Sequence, residues 1–115
     1  MNKRAIGAHY EERAADYLKR AGYQILARNF RNRTGEIDIV ARDGEYLVFV
    51  EVKYRADGAC GSPLEAVDYR KQRNIVQTAR AYMLKHGCGT ETCCRFDVLA
   101  IEGERITLVR NAFGA

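Results

Sequence analysis

Residues Tyr46 to Arg55 read Tyr-Leu-Val-Phe-Val-Glu-Val-Lys-Tyr-Arg, the most apolar stretch of the chain, with two opposite charges set inside it. β-Branched and aromatic residues dominate, which predicts a strand suited to the middle of a sheet. Alternation places Val48, Val50 and Val52 on one face and Leu47, Phe49, Glu51, Lys53 and Arg55 on the other. Glu51 and Lys53 therefore share a face, about 7 Å apart at the backbone. Charges buried there are costly unless they pair or bind a metal.

The segments around this strand predict an α/β chain in the order helix, three strands, helix, two strands, forming a mixed central sheet flanked by helices. Ile6, Tyr10, Ala14, Leu18 and Ala21 recur at helical spacing, and Gly22 supplies a left-handed stop. Tyr23 to Asn29 reads as a strand and Arg31 to Gly35 as a basic turn. Glu36 to Arg42 alternates, with Ile37, Ile39 and Ala41 on one side and Glu36, Asp38 and Val40 on the other. Asp43-Gly44 then marks a hairpin into Tyr46 to Arg55. After a loop over Ala56 to Gly61, Ser62-Pro63-Leu64-Glu65 carries an N-cap, a first-turn proline and a capping box. That signature predicts a helix running to about Lys85, with Val67, Ile75, Ala79, Tyr82 and Met83 inward and Gly87 as its stop. Arg95 to Ile101 and Arg105 to Phe113 read as the last two strands.

With 115 residues, the sequence predicts a single domain, 1–115, since two domains would each be too small for a good core. The longest apolar run, Tyr46 to Val50, falls far short of the roughly 20 residues of a membrane span. Neither a membrane partner nor a secretory signal is expected, which points to the cytoplasm. Cys60, Cys88, Cys93 and Cys94 lack paired C-x-x-C hooks and read as free thiols. A net charge of +4 arises from basic flanks around an acidic middle third. Basic proteins attract phosphate backbones, and an acidic cluster inside one suggests a cation site.

Three residues sharpen that suggestion. A tight hairpin at Asp43-Gly44 brings Asp38 near Glu51, and two carboxylates repel unless a cation lies between them. Glu11 falls on the inward stripe Gly7, Glu11, Ala14, Leu18 of the first helix. Taken singly, each acid has a plain reading: a surface pair for Glu51 with Lys53, a turn or ladder bond for Asp38, a helix-dipole charge for Glu11. Together, three carboxylates and a lysine make a hard-cation site that favours Mg²⁺ or Mn²⁺ over zinc. Lys71, between Val67 and Ile75, either reaches a phosphate or snorkels past the core. Asp97 reads as structural, and His9, two residues before Glu11, as a surface imidazole rather than a peripheral ligand.

Gly7-x-x-x-Glu11-x-x-Ala14, Gly35-Glu36-Ile37-Asp38 and Phe49-Val50-Glu51-Val52-Lys53-x-Arg55 resemble the PD-(D/E)XK nuclease superfamily, with its restriction-endonuclease-like αβββαβ core. More closely, they resemble the bacterial YraN family. Asn29-Phe30, Lys71, Arg95-Phe96-Asp97-Val98 and Asn111-Ala112-Phe113 add to that closer likeness, which covers nearly the whole chain. The Glu…Asp…Glu-x-Lys layout is also similar to that of the archaeal Holliday-junction resolvases. Ile37 stands where the superfamily's name has proline.

The resemblance implies a metal-dependent DNA endonuclease, with branched or junction DNA as a substrate class. It assigns Asp38, Glu51, Glu11 and the Val52 carbonyl to Mg²⁺ or Mn²⁺, and Lys53 to the water or the transition state. Arg55, Lys71, Arg31 and Arg33 are the expected nucleic-acid contacts. Symmetric action on a junction would require a homodimer. The rival expectation is a catalytically silent nucleic-acid-binding module on the same scaffold.

Overall fold

The Tyr46–Arg55 segment is the central strand of a five-stranded sheet ordered β1-β2-β3-β4-β5. The computed structural model describes residues 3–55 and 67–115. Its elements are α1 (Lys3–Arg20), β1 (Gln24–Asn32), β2 (Gly35–Asp43), β3 (Tyr46–Arg55), α2 (Tyr69–Lys85), β4 (Cys94–Glu102) and β5 (Arg105–Phe113). The expected helix and strand order stands. β3 and β4 are parallel and the other neighbours antiparallel. A parallel pair needs a crossover, and the chain through α2 supplies it. No helix among the described residues is long and apolar enough to cross a membrane.

Alternation along β3 builds two cores. Leu47 and Phe49 pack with Ile75, Val76, Ala79 and Tyr82 of α2, and Phe49 meets the Tyr82 ring edge-on at 5.8 Å. Val48 and Val50 pack with Ala14, Ala15 and Leu18 of α1. The small alanines bring that helix close to the sheet, and Gly22 ends it as the sequence predicts. Its φ of +97° lets Tyr23 N–H reach the Leu18 carbonyl (2.9 Å) and Gly22 N–H reach that of Lys19 (3.1 Å).

Two boundaries differ from the sequence reading. β1 continues to Asn32, through the first two residues of the expected basic turn, because Asn32 Oδ1 accepts from both the N–H (2.9 Å) and the hydroxyl (2.7 Å) of Thr34. That local bond closes a two-residue turn at Arg33 and Thr34. α2 is capped by Asp68, whose backbone is extended and whose carboxylate accepts from Lys71 N–H at 2.8 Å. A helix continuous from Ser62 to Lys85 is therefore excluded by the extended cap; Ser62 to Glu65 themselves lie outside the described residues. Buried Val67, just before the cap, joins the α2 core and fixes the entry of the chain.

Asp97 is wholly buried and holds the β4–β5 side together. Its carboxylate accepts from Tyr23 hydroxyl (2.7 Å), from Arg95 Nε and Nη2 (2.9 and 3.0 Å), and from Asn111 N–H (2.9 Å). Arg95 continues to Asp43 at 2.8 Å, tying β4 to the far end of β2. The structural reading of Asp97 stands. Removing one partner of such a buried pair strands the other charge. Asp97→Ala is expected to cost about 3–5 kcal/mol in urea unfolding. Glu12→Ala, which breaks the exposed Glu12–Arg28 pair, should leave the unfolding midpoint nearly unchanged. Equal losses in the two variants would contradict this account.

Candidate functional site

The β2–β3 ladder runs from Asp43 opposite Tyr46 to Ile39 opposite Val50 and stops one step short of Asp38 opposite Glu51. There the Asp38 carboxylate takes the place of a strand carbonyl and accepts from Val52 N–H at 2.8 Å. On the other edge of β2, the register leaves Asn29 facing Asp38, and Asn29 adopts a left-handed φ of +54°. The alternation breaks at this point. Ile37 packs on the α2 side with Val40, whereas Ile39 and Ala41 face α1. The sequence reading kept all three on one side because it assumed an unbroken ladder.

The divergence brings two carboxyl groups together. Glu51 is only 4% exposed, and its carboxylate lies close enough to the Asp38 carboxyl to disfavour the charged form of Asp38. Burial raises the Asp38 pKa from its ordinary 3.8 to about 8, helped by Glu51 and further by Glu11, against the lowering effect of Val52 N–H. Two ammonium groups balance Glu51. Lys71 Nζ of α2 lies 3.3 Å from Glu51 Oε2, and Lys53 Nζ lies 3.7 Å from the same oxygen.

The other expected residues fall at different distances from this pair. Glu11, half-buried on α1, reaches Asp38 only as a neighbouring like charge. Among the described residues, no three Asp, Glu, His or Cys side chains cluster tightly enough to enclose a metal. The expected convergence of three carboxylates is thus a contact pair with Glu11 outside it. Arg31 is exposed, donates to Glu36, and feels the charges of Glu11 and Asp38. Arg33 sits exposed in the adjoining turn. Arg55 donates to Glu102 of β4 at 2.7 Å, so its guanidinium is engaged within the sheet. Val52 N–H points toward β2, and in an extended strand the carbonyl of the same residue points to the same edge. Cys88, Cys93 and Cys94 are free thiols, as expected.

Two features escaped the sequence reading. Lys71 lies in the first turn of α2, beside Glu51, a placement hidden by the early helix start; Asp68 as a capping residue was the available signal. Tyr54, next to Lys53, is exposed and stacks on Tyr10 of α1 with centroids 4.4 Å apart and planes within 7°. Tyr54 belongs to the valine face of β3, on which α1 packs, so the stack lies on the side where period two puts it.

The donor set suits a hard divalent cation. A carboxyl whose pKa is raised beside a second carboxylate marks a place where a cation would be favoured, and carboxylate and carbonyl oxygens are the ligands Mg²⁺ takes. In the metal-free protein, the folded state retains the Asp38 proton between about pH 4 and pH 8 while the unfolded chain has released it. Stability therefore falls as pH rises through that window. The loss should be on the order of a few kcal/mol by chemical denaturation, and Asp38→Asn should flatten the slope. A wild-type stability that is level or rising across the window would contradict the raised Asp38 pKa.

The family model described as "Uncharacterised protein family UPF0102" matches residues 10–101, which include Glu11, Asp38, Glu51, Lys53 and Lys71. A UPF0102 protein of Lachnoclostridium phytofermentans is 54% identical over 115 residues, spanning 100% of this chain and 98% of its own length. One from Serratia proteamaculans is 46% identical over 116 residues, spanning 100% and 99%. One from Clostridium botulinum strain 657 is 45% identical over 114 residues, spanning 94% and 93%. Full-length similarity at these identities, with the family match across the site, makes this chain a member of the UPF0102 (YraN) family.

Proposed function

We propose that this chain is a divalent-metal-dependent DNA endonuclease of the PD-(D/E)XK type, hydrolysing phosphodiester bonds. The observation that carries this reading is the half-buried Asp38 beside buried Glu51 at the parting of β2 and β3, with Lys53 and Lys71 on the same Glu51 oxygen. Asp38, Glu51 and the Val52 carbonyl would hold Mg²⁺ or Mn²⁺, with Glu11 contributing from a greater distance. The ion would neutralise charge on the phosphoryl oxygens and acidify a water molecule.

The chain's own groups have distinct tasks in this reading. Lys53, partly exposed beside Glu51, presents ammonium N–H donors to charge developing on the phosphoryl group. Arg31 and Arg33, on the β1–β2 hairpin, offer backbone phosphate contacts that position without reading sequence. Arg55 braces the end of β3 through Glu102 and would need to exchange that partner to clamp a phosphate. The exposed Tyr54–Tyr10 stack is a surface on which an unpaired base can lie, and it favours flapped or branched DNA over plain duplex. A junction cut symmetrically would take two copies of the chain.

Labelled linear, flapped and four-way DNA incubated with Mg²⁺ or Mn²⁺ tests the reading. Cleavage is expected, and Asp38→Asn should abolish it. Lys53→Ala should lower it by about 10²-fold or more while leaving DNA affinity nearly intact. Cleavage that survives both substitutions would reveal a contaminant. Binding without cleavage in either metal would favour the silent nucleic-acid-binding module.

A further inference from the structure

The charge of Glu51 is met by two ammonium groups, and the nearer belongs to α2 rather than to the strand that carries Glu51. Lys71 holds an unfavourable position. The first turn of α2 contains Arg70 and Lys71 and no acidic residue, whereas a helix dipole favours acids at that end. Its backbone is fixed by the Asp68 cap, but its side chain is 40% exposed, and only the flexible stem connects its ammonium to Glu51. Glu51 is almost fully buried, so the lysine lies on the open side of a carboxylate that has little other access to solvent.

We propose that Lys71 is the resident counter-ion of Glu51, that a divalent cation binding Asp38 and Glu51 displaces it, and that the released ammonium then serves a phosphate of the incoming nucleic acid. This inference rests on the metal reading of the site. A lysine and a divalent ion compete for one carboxylate oxygen, so each weakens the other's hold there. Release of Lys71 also moves a positive charge from an internal pair to the surface, where a phosphate can use it. Metal and nucleic acid thereby favour each other's binding, with Lys71 as the coupling element and Lys53 remaining beside Glu51. By linkage the coupling acts equally in both directions.

Lys71→Met keeps the apolar stem and removes the charge; Lys71→Arg keeps the charge. Calorimetric titration with Mn²⁺ alone, without nucleic acid, should show Lys71→Met binding roughly tenfold tighter than wild type, equivalent to about 1.4 kcal/mol. Lys71→Arg should stay near wild type. In a second measurement, the affinity of Lys71→Met for a DNA duplex should match wild type in EDTA and fall several-fold below it in Ca²⁺. Mn²⁺ binding of equal strength in wild type and Lys71→Met would leave the metal site standing and overturn the counter-ion role alone. An equal loss of DNA affinity with and without Ca²⁺ would also overturn it. No Mn²⁺ binding in either protein would overturn the metal reading and this inference together. Thermal unfolding of each variant confirms that the fold is retained.

Discussion

The bond that the Asp38 carboxylate accepts from Val52 N–H is the interaction on which the layout of this site depends. It exists because β2 abandons β3 one residue before the two would face each other in a ladder. Val52 N–H, which loses a strand partner there, is satisfied by the Asp38 side chain. A backbone group thereby positions a carboxylate, and the carboxylate positions its neighbour. Asp38 bears the cost, since burial and the neighbouring Glu51 both hold its pKa well above the ordinary carboxylate range.

The rest of the fold makes such discomfort tolerable. β3 has α1 against its valine face and α2 against Leu47 and Phe49, so its first half is anchored in both cores. On the β4–β5 side, Asp97 gathers Tyr23, Arg95 and Asn111, and Arg95 reaches on to Asp43. That network is polar, centred on wholly buried Asp97 and satisfied by hydrogen bonds on both carboxylate oxygens. Thr34 hydroxyl meets Thr78 hydroxyl at 2.9 Å, holding the hairpin that carries Arg31 and Arg33 against α2. Gly35, at φ +153°, approaches Thr78 Oγ1 so closely that a Cβ would lie 3.4 Å from it.

Much of this was legible in the sequence, for identifiable reasons. Period two in Tyr46 to Arg55 placed Glu51 and Lys53 on one face, and the Asp-Gly turn brought Asp38 alongside. Helical spacing and Gly22 defined α1. What the sequence concealed was the consequence of breaking the pattern. Ile37 changes sides because Asp38 spends its side chain on Val52 N–H, an event that alternation cannot signal. The Ser62 capping box is a strong local signal, but Asp68 is a competing cap, and burial of Val67 favours it. Glu11 lies on the predicted stripe yet stays out of contact, since helix periodicity gives direction and not reach. Arg55 shares the face of Glu51, but β4 presents Glu102 opposite it, a pairing that depends on strand order rather than on sequence.

β3 pairs with β4 along its whole length, through Arg55 opposite Glu102, but with β2 only as far as Val50. Its last stretch is thus an internal sheet edge, opened within the fold rather than at the border of the sheet. An edge at the border invites strands of other molecules; one opened between paired neighbours leaves its backbone groups to be met by side chains, as the Asp38 carboxylate meets Val52 N–H.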